Sequence, residues 1–255
     1  MAVATFTFHN NFKLLLKKRQ KHSLSFSHYF ERRASIKDVI ESFGVPHPLI
    51  GMLSVNGRQV DFSHILQDMD NVQVDPLMPP VNPLLPDILR PIPLPRIAFV
   101  VDVNAGKLAM LLRMLGFDTL YENNARDGKL AEIAFSQKRI LLTRDTSLLK
   151  RKIVMHGYLL HDHDPTRQTA EVVRLYDLSD SIKPMSRCMP CNGMLIPVSK
   201  DAIMNRLEPL TRKYYHSFLI CRDCGKIYWA GSHHEKIKDS IARILAAARE
   251  TGMVA

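Results

Sequence analysis

The chain has 255 residues, 46% of them hydrophobic and 24% charged, and carries a formal net charge of +10. That balance supplies an ordinary buried core with room for two or three compact units and excludes a disordered chain. No apolar run reaches the roughly 20 residues of a bilayer span, and the N-terminus places apolar residues before its basic cluster, the reverse of a secretory signal, so the expected location is cytoplasmic, with no membrane partner. The positive charge favours an acidic partner, nucleic acid above all, over a merely solvated basic surface.

Residues 1–75 read as a small mixed unit. Val3–Phe8 alternates like a strand, and a basic stretch follows through Lys17, Lys18, Arg19 and Lys21. Ser35 fits a helix N-cap, with Ile36, Val39, Ile40 and Phe43 at helical spacing before Gly44 and Pro46 end the run. Met52–Val55 and Val60–Phe62 flank Asn56-Gly57, a hairpin signal, and Asn71–Val74 is a last strand. Two strands, a helix and two further strands in this length predict an α+β β-grasp.

Eight prolines fall between Asp75 and Arg96, which predicts a stiff, extended linker over residues 76–96. Beyond it, "IAFVVD" is a strand buried on both faces, followed by a helix through Lys107–Leu115, the strand "FDTLY", a helix over Asp127–Phe135, the buried strand "RILLT" and a further strand in "IVMHGYLL". Alternating strands and helices over residues 97–182 predict a parallel α/β sheet.

All four cysteines lie in two C-x-x-C pairs, Cys188/Cys191 and Cys221/Cys224, each followed by a glycine, Gly193 or Gly225. Four thiolates on two knuckles are the donor set of a structural zinc ribbon, with no open position for a substrate. The alternative is a pair of redox disulfides or unrelated thiols. The 29 residues between the pairs imply an insertion within a ribbon assigned to residues 183–240, with a C-terminal helix or tail over 241–255.

The second constellation is acidic. Asp102 and Asp145 end the two buried strands, so a parallel sheet brings both to its carboxyl edge, and Asp127 opens the intervening helix. Converging carboxylates suit Mg²⁺ or Mn²⁺ and phosphodiester hydrolysis. Each Asp is also a natural helix or turn cap, and both readings stand at the level of residues alone.

"SIKDVIESFGVPHPLIGMLSVNGRQVDF" resembles the ubiquitin-like domain that precedes Mut7-C ribonuclease domains. "VVDVNAGKLAMLLRMLGFDTLYENNARDGKLAEIAFSQKRILLTRDTSLLKR" is similar to the PIN-like core of that ribonuclease family, and "CMPCNGML" and "CRDCGKIYWAGSHHEKI" to its zinc segment. Ala105 and Met110 depart from the family pattern, as packing changes.

The resemblance implies a metal-dependent ribonuclease, an endonuclease in preference to an exonuclease, with Asp102, Asp127 and Asp145 as catalytic acids and Asp102 and Asp145 holding Mg²⁺ or Mn²⁺. Asp118 competes with Asp127 for the helical acid, and Asp162 in the "HDHD" run His161–Asp164 reaches toward the same edge, unless that run is a turn before Pro165. Lys107, Arg113 and Arg144 are candidates for phosphate contacts, against solvation or an internal ion pair, and Trp229 and His233 for contacts to RNA, with core packing of Tyr228 and Trp229 as the alternative. The expected partner is tRNA, rRNA or another structured RNA, with a protein partner for the β-grasp unit. A non-catalytic RNA-binding adaptor is the competing function. A sulfur carrier is disfavoured, because the β-grasp unit ends in "VQVDP" rather than a free Gly-Gly.

Overall fold

The computed structural model describes residues 1–250, apart from the side chains of residues 232–234. The N-terminal sheet contains β1 (Ala2–Phe8), β2 (Ser25–Phe30), β3 (Ile50–Val55), β4 (Arg58–Gln59) and β5 (Asn71–Pro76) in the order β2-β1-β5-β3-β4, with β1 and β5 parallel. Helix α1 (Ile36–Phe43) crosses it. Ser35 caps α1 by accepting the Asp38 amide, and Gly44 closes it at φ 123°, where a Cβ would meet the Leu15 carbonyl. Phe43 stands edge-on to Phe6, Phe8 and Phe26, which fixes α1 on the sheet. Asn56 and Gly57 both have positive φ, as the predicted hairpin requires, although the strand beyond them is confined to two residues.

The second sheet is wholly parallel. It contains β6 (Ala98–Val101), β7 (Asp118–Tyr121), β8 (Ile140–Thr143) and β9 (Gly157–Leu159) in the order β7-β6-β8-β9. The last strand is shorter than its apolar run suggests, because Val154 turns back to bond the Arg151 carbonyl. One sheet face, with Phe99, Val101, Ile140 and Leu142, packs under α2 (Gly106–Met114) and α5 (Pro165–Leu175). Val100 and Leu141 point to the other face, under α3 (Asp127–Ser136) and the single turn α4 (Thr146–Leu149).

That second layer is completed by the β-grasp unit. Leu130, Ala131, Leu148, Leu149 and Val154 belong to one continuous core with Phe12, Leu16, Ile40 and Leu49, and the 3-10 turn His47–Leu49 lies against β9. The proline segment is a packed strap and not the extended linker its composition predicts. Leu89 and Leu94 are buried between its prolines, the Leu77 amide donates to the Leu49 carbonyl, and the Val81 amide donates to the Leu175 carbonyl. Arg90, 7% exposed, pairs with Asp87 and donates to the Ile50 carbonyl. The strap therefore joins both units, and β5 leads straight into it.

The C-terminal sheet is antiparallel: β10 (Leu195–Val198), β11 (Phe218–Cys221) and β12 (Ile227–Trp229). Between β10 and β11 the expected insertion forms α6 (Lys200–Ile203) and α7 (Pro209–Tyr214). Helix α8 (Ser232–Glu250) runs unbroken through the boundary expected at residue 240, because Ile237, Ile241, Ile244, Leu245 and Ala248 form one stripe packed into the core of the parallel-sheet unit beside α5. Residues 251–255 of the expected tail lie outside the described residues. No described helix is long and apolar enough to cross a membrane.

Leu49 is a hinge of this packing. Leu49→Ala is expected to lower the unfolding free energy of the whole chain by about 2–4 kcal/mol, measured by urea denaturation, with the β-grasp and parallel-sheet units melting in one shared transition.

Candidate active site and metal centre

The strand order places a topological switch point between β6 and β8, because the chain leaves β6 for α2 on one face and β8 for α4 on the other. Asp102 follows β6 there, and its amide donates to the Leu142 carbonyl, extending the ladder by one residue. Its side chain is 4% exposed, and its Oδ2 accepts the Thr143 hydroxyl at 2.8 Å. The same hydroxyl oxygen accepts the Asp145 amide at 2.9 Å, and Asp145 caps α4 by accepting the Ser147 amide at 2.7 Å. Thr143 thus links the two acids. Asp102 Oδ1 and Asp145 Oδ2 accept no hydrogen bond among the described residues. Tyr121 closes the floor: its hydroxyl donates to the Val103 carbonyl, and its ring occupies the space that a Cβ on Gly106 would need.

Asp127 stands at the first helical position of α3, after Arg126 as N-cap, where a carboxylate complements the helix dipole. It lines an open depression with Arg126, Gly128, Lys129, Glu132 and Arg151. It does not complete a triad with Asp102 and Asp145: among the described residues, the only His, Cys, Asp or Glu group of three or more with ligand atoms within 4.8 Å is the cysteine set. Lys107, in the first turn of α2, and Arg144 are exposed, and the Arg144 guanidinium lies against the His163 ring.

The "HDHD" run is a helix entrance. Asp164 caps α5, Pro165 takes its first position, and Asp162 accepts the Asp164 amide and faces Arg167. The hydrogen bond that the Asp164 amide donates holds the Asp162 carboxyl below the usual range, with Arg167 adding to it.

Two sequence candidates belong to the opposite edge of the sheet. Asp118 opens β7, where it accepts Arg139 at 2.8 Å and Asn192 at 2.8 Å, with Arg187 at 3.7 Å. Burial raises its carboxyl, but these donors outweigh burial and hold it below the usual range. It is an internal ion-pair centre and no competitor for the catalytic edge. Arg113, expected at phosphate, is 5% exposed and donates to the carbonyls of Thr119, Met189 and Pro190. Every one of these acceptors is protein backbone, so it clamps the first cysteine knuckle to the sheet. Asn192, at φ 70°, adds a second tie by accepting the Thr119 amide. Neither Thr143 nor Asn192 carries a sequence signal of its role beyond its proximity to Asp145 or Cys191.

The knuckles themselves are closed by short-range amide bonds, Cys188 N–H to Gly193, Asn192 N–H to Cys188, Cys221 N–H to Lys226 and Gly225 N–H to Cys221. Their sulfurs meet at 3.6 Å (Cys188–Cys224) and 3.4 Å (Cys191–Cys221). A tetrahedral ion with sulfur at about 2.3 Å spaces its ligands by about 3.8 Å, so the four thiols fit zinc with little adjustment. Gly193 is required, since a Cβ there would lie 2.7 Å from the Cys221 sulfur.

Tyr228 is buried with its hydroxyl 3.1 Å from the Cys188 sulfur. Trp229, expected to contact RNA, is half-buried against Tyr215 and packs on Ile203, Leu207 and Phe218, so the packing alternative holds for both rings. His233 lies within α8, and its side chain is outside the described residues.

The family described as Mut7-C RNAse domain matches residues 97–241, and the family described as Mut7-C ubiquitin matches residues 1–82. Neither a curated protein nor a solved structure matches the chain.

Arg113 supports the first cysteine knuckle through the backbone of Met189 and Pro190. Arg113→Ala is expected to weaken zinc retention by about 10-fold or more, read by competition with a colorimetric zinc chelator, with the secondary structure at saturating zinc unchanged.

Proposed function

Because the chain belongs to the Mut7-C RNAse family, we propose that it hydrolyses RNA phosphodiester bonds at the carboxyl edge of its parallel sheet, with Asp102 and Asp145 holding Mg²⁺ or Mn²⁺. The observation that carries this reading is the pair itself: two acids from strands flanking the switch point, joined through Thr143. Their unshared oxygens are hard donors, and Mg²⁺ is commonly held by one or two carboxylates together with substrate phosphate, so a third acid is not required. When bound, such an ion supplies an activated water and stabilises the leaving oxygen.

The remaining roles fall to the chain's own groups. The Thr143 hydroxyl, engaged by the Asp145 amide, fixes the Asp102 carboxylate in one orientation. Lys107 and Arg144, exposed beside the acids, hold the phosphates that flank the scissile bond. Asp127 lines the approach rather than the centre. The cysteine ribbon holds structural zinc at the other edge. Ala98, where β6 pairs with Asp118, is four residues before Asp102, about 13 Å along a strand, so the ribbon meets only RNA that extends beyond the cut. In the ribbon's insertion, exposed Arg212, Lys213 and Tyr214 of α7 take the phosphate role first assigned to Arg113 and the RNA-contact role first assigned to Trp229. Endonucleolytic cleavage of a structured RNA is the form of activity proposed, in the cytoplasm.

The test compares wild type with Asp102→Asn/Asp145→Asn on labelled linear and circular RNAs, with Mg²⁺, with Mn²⁺ and with no added divalent ion, after both proteins are shown to carry zinc. The double variant is expected to lose at least about a hundredfold in rate, roughly 3 kcal/mol of barrier, and wild type is expected to open the circle in a divalent-dependent way. Equal cutting by both proteins rejects the site, and RNA binding without cutting makes the chain an adaptor.

A further inference from the structure

The β-grasp unit carries a basic loop whose chemistry the catalytic edge does not use. Lys13, Lys17, Lys18, Arg19 and Lys21 are all exposed, and no Asp or Glu occurs in residues 1–30. The loop is not loosely tethered. Phe12 and Leu16, at 2% and 1% exposure, anchor it in the core shared with Leu148, Leu149 and Val154, and the Lys17 amide donates to the Phe43 carbonyl.

Across that shared core lies a second basic run, Lys150, Arg151 and Lys152, in a segment without Asp or Glu from Thr146 to His161. It follows α4, whose single turn separates it from Asp145 by four residues, about 6 Å of helix rise. Arg151 also reaches the depression at the start of α3, where Arg126 and Lys129 add positive charge, partly offset by Asp127, Glu132 and the Lys129–Glu122 pair.

The two runs flank one core, because Leu16, beside Lys17, and Leu149, beside Lys150, belong to the same buried cluster. Burial pulls Lys150 below the ordinary lysine range, Glu41 opposes that shift, and Lys17 adds to it by less than Glu41 opposes it. Among the described residues, none of Lys13, Lys17, Lys18, Arg19, Lys21, Lys150, Arg151 and Lys152 forms an ion pair, whereas Arg96, Arg139, Arg167 and Arg187 elsewhere do. Unpaired cations gathered around one core raise the local positive potential, and a polyanion lying over them is attracted while releasing its own counterions. A protein patch of scattered carboxylates matches such a track less well than a continuous phosphate chain.

We propose that the Lys17–Lys21 loop of the β-grasp unit and the Lys150–Lys152 segment form one RNA-backbone track that leads from the ubiquitin-like unit to the Asp102/Asp145 edge. The proposal rests on the ribonuclease reading and assigns the β-grasp unit to substrate binding. The track is sequence-independent, since it offers phosphate contacts and no buried groups to read bases.

Binding of a fluorescein-labelled polyuridylate to the full chain, in the Asp102→Asn/Asp145→Asn background, is measured by anisotropy over a sodium chloride series. Lys17→Ala/Lys18→Ala/Lys21→Ala is expected to lose about tenfold or more in affinity and to reduce the salt slope by about 2, at about 0.7 per lost phosphate contact. Arg151→Ala/Lys152→Ala, on the other unit, is expected to reduce the slope by about 1.4. Zinc content and circular dichroism establish that each variant is folded. An unchanged slope in the Lys17 variant, with the Arg151 variant weakened, overturns the proposal and leaves the ribonuclease reading intact. Absence of RNA binding in the parent, together with absence of cleavage by wild type, overturns both. Phosphatidylserine vesicles provide the other arm: binding to them that depends on Lys17, with RNA binding unchanged, replaces RNA by an anionic membrane surface.

Discussion

A four-stranded parallel sheet with apolar residues on both faces has to be covered twice, and this chain has helices enough for only one full layer. Phe99, Val101, Ile140 and Leu142 are covered by α2 and α5, with α8 joining the same core. Val100 and Leu141 face α3, the single turn α4, and then a different unit altogether. Parallel sheets are stable when both faces are dry. The β-grasp unit, through Leu49 and the residues around it, supplies the missing cover, and the proline strap with buried Leu89, Arg90 and Leu94 sews the joint. The ubiquitin-like unit is thereby part of the ribonuclease-like core and not an appended module.

The same constraint shapes the edge proposed for chemistry. With α2 and α4 on opposite faces, the loops after β6 and β8 part at the carboxyl edge and leave Asp102 and Asp145 in the opening, bridged by Thr143. The amino edge is closed by the ribbon: Asp118 gathers Arg139, Arg187 and Asn192, and Arg113 holds the backbone of the first knuckle. One edge is satisfied internally by ion pairs and carbonyls, while the other retains exposed Lys107 and Arg144. That contrast separates donors already used by the fold from donors left open to solvent more sharply than residue type does.

Much of this was legible in the residues. The cysteine spacing predicted four sulfurs around one point, Ser35 and Gly44 marked both ends of α1, and continuous apolar runs ending in Asp placed two acids at one edge. The misreadings share a cause, because each turned on a distant partner. Arg113 reads as a phosphate ligand until Met189 and Pro190 arrive, 76 and 77 residues away, to use its donors. Proline density describes local stiffness but says nothing of Leu89 and Leu94 finding a core. Trp229 reads as a stacking platform only while the insertion that brings Ile203, Leu207 and Tyr215 against it is unfolded. The C-terminal helix, expected from residue 241, begins instead at Ser232, because the apolar stripe of α8 that packs beside α5 starts within the ribbon segment.

The claim on which the rest depends is that the two units share one core. Native-state hydrogen exchange, with residue-level resolution on the zinc-loaded chain, addresses it directly through the backbone amides of β1, β5, β6 and β8. The account predicts that the slowest amides of both sheets exchange only through one common, global opening, with the same free energy and denaturant dependence. A lower-energy opening confined to β1 and β5, leaving β6 and β8 protected, would show that the β-grasp unit unfolds alone and would contradict the shared core.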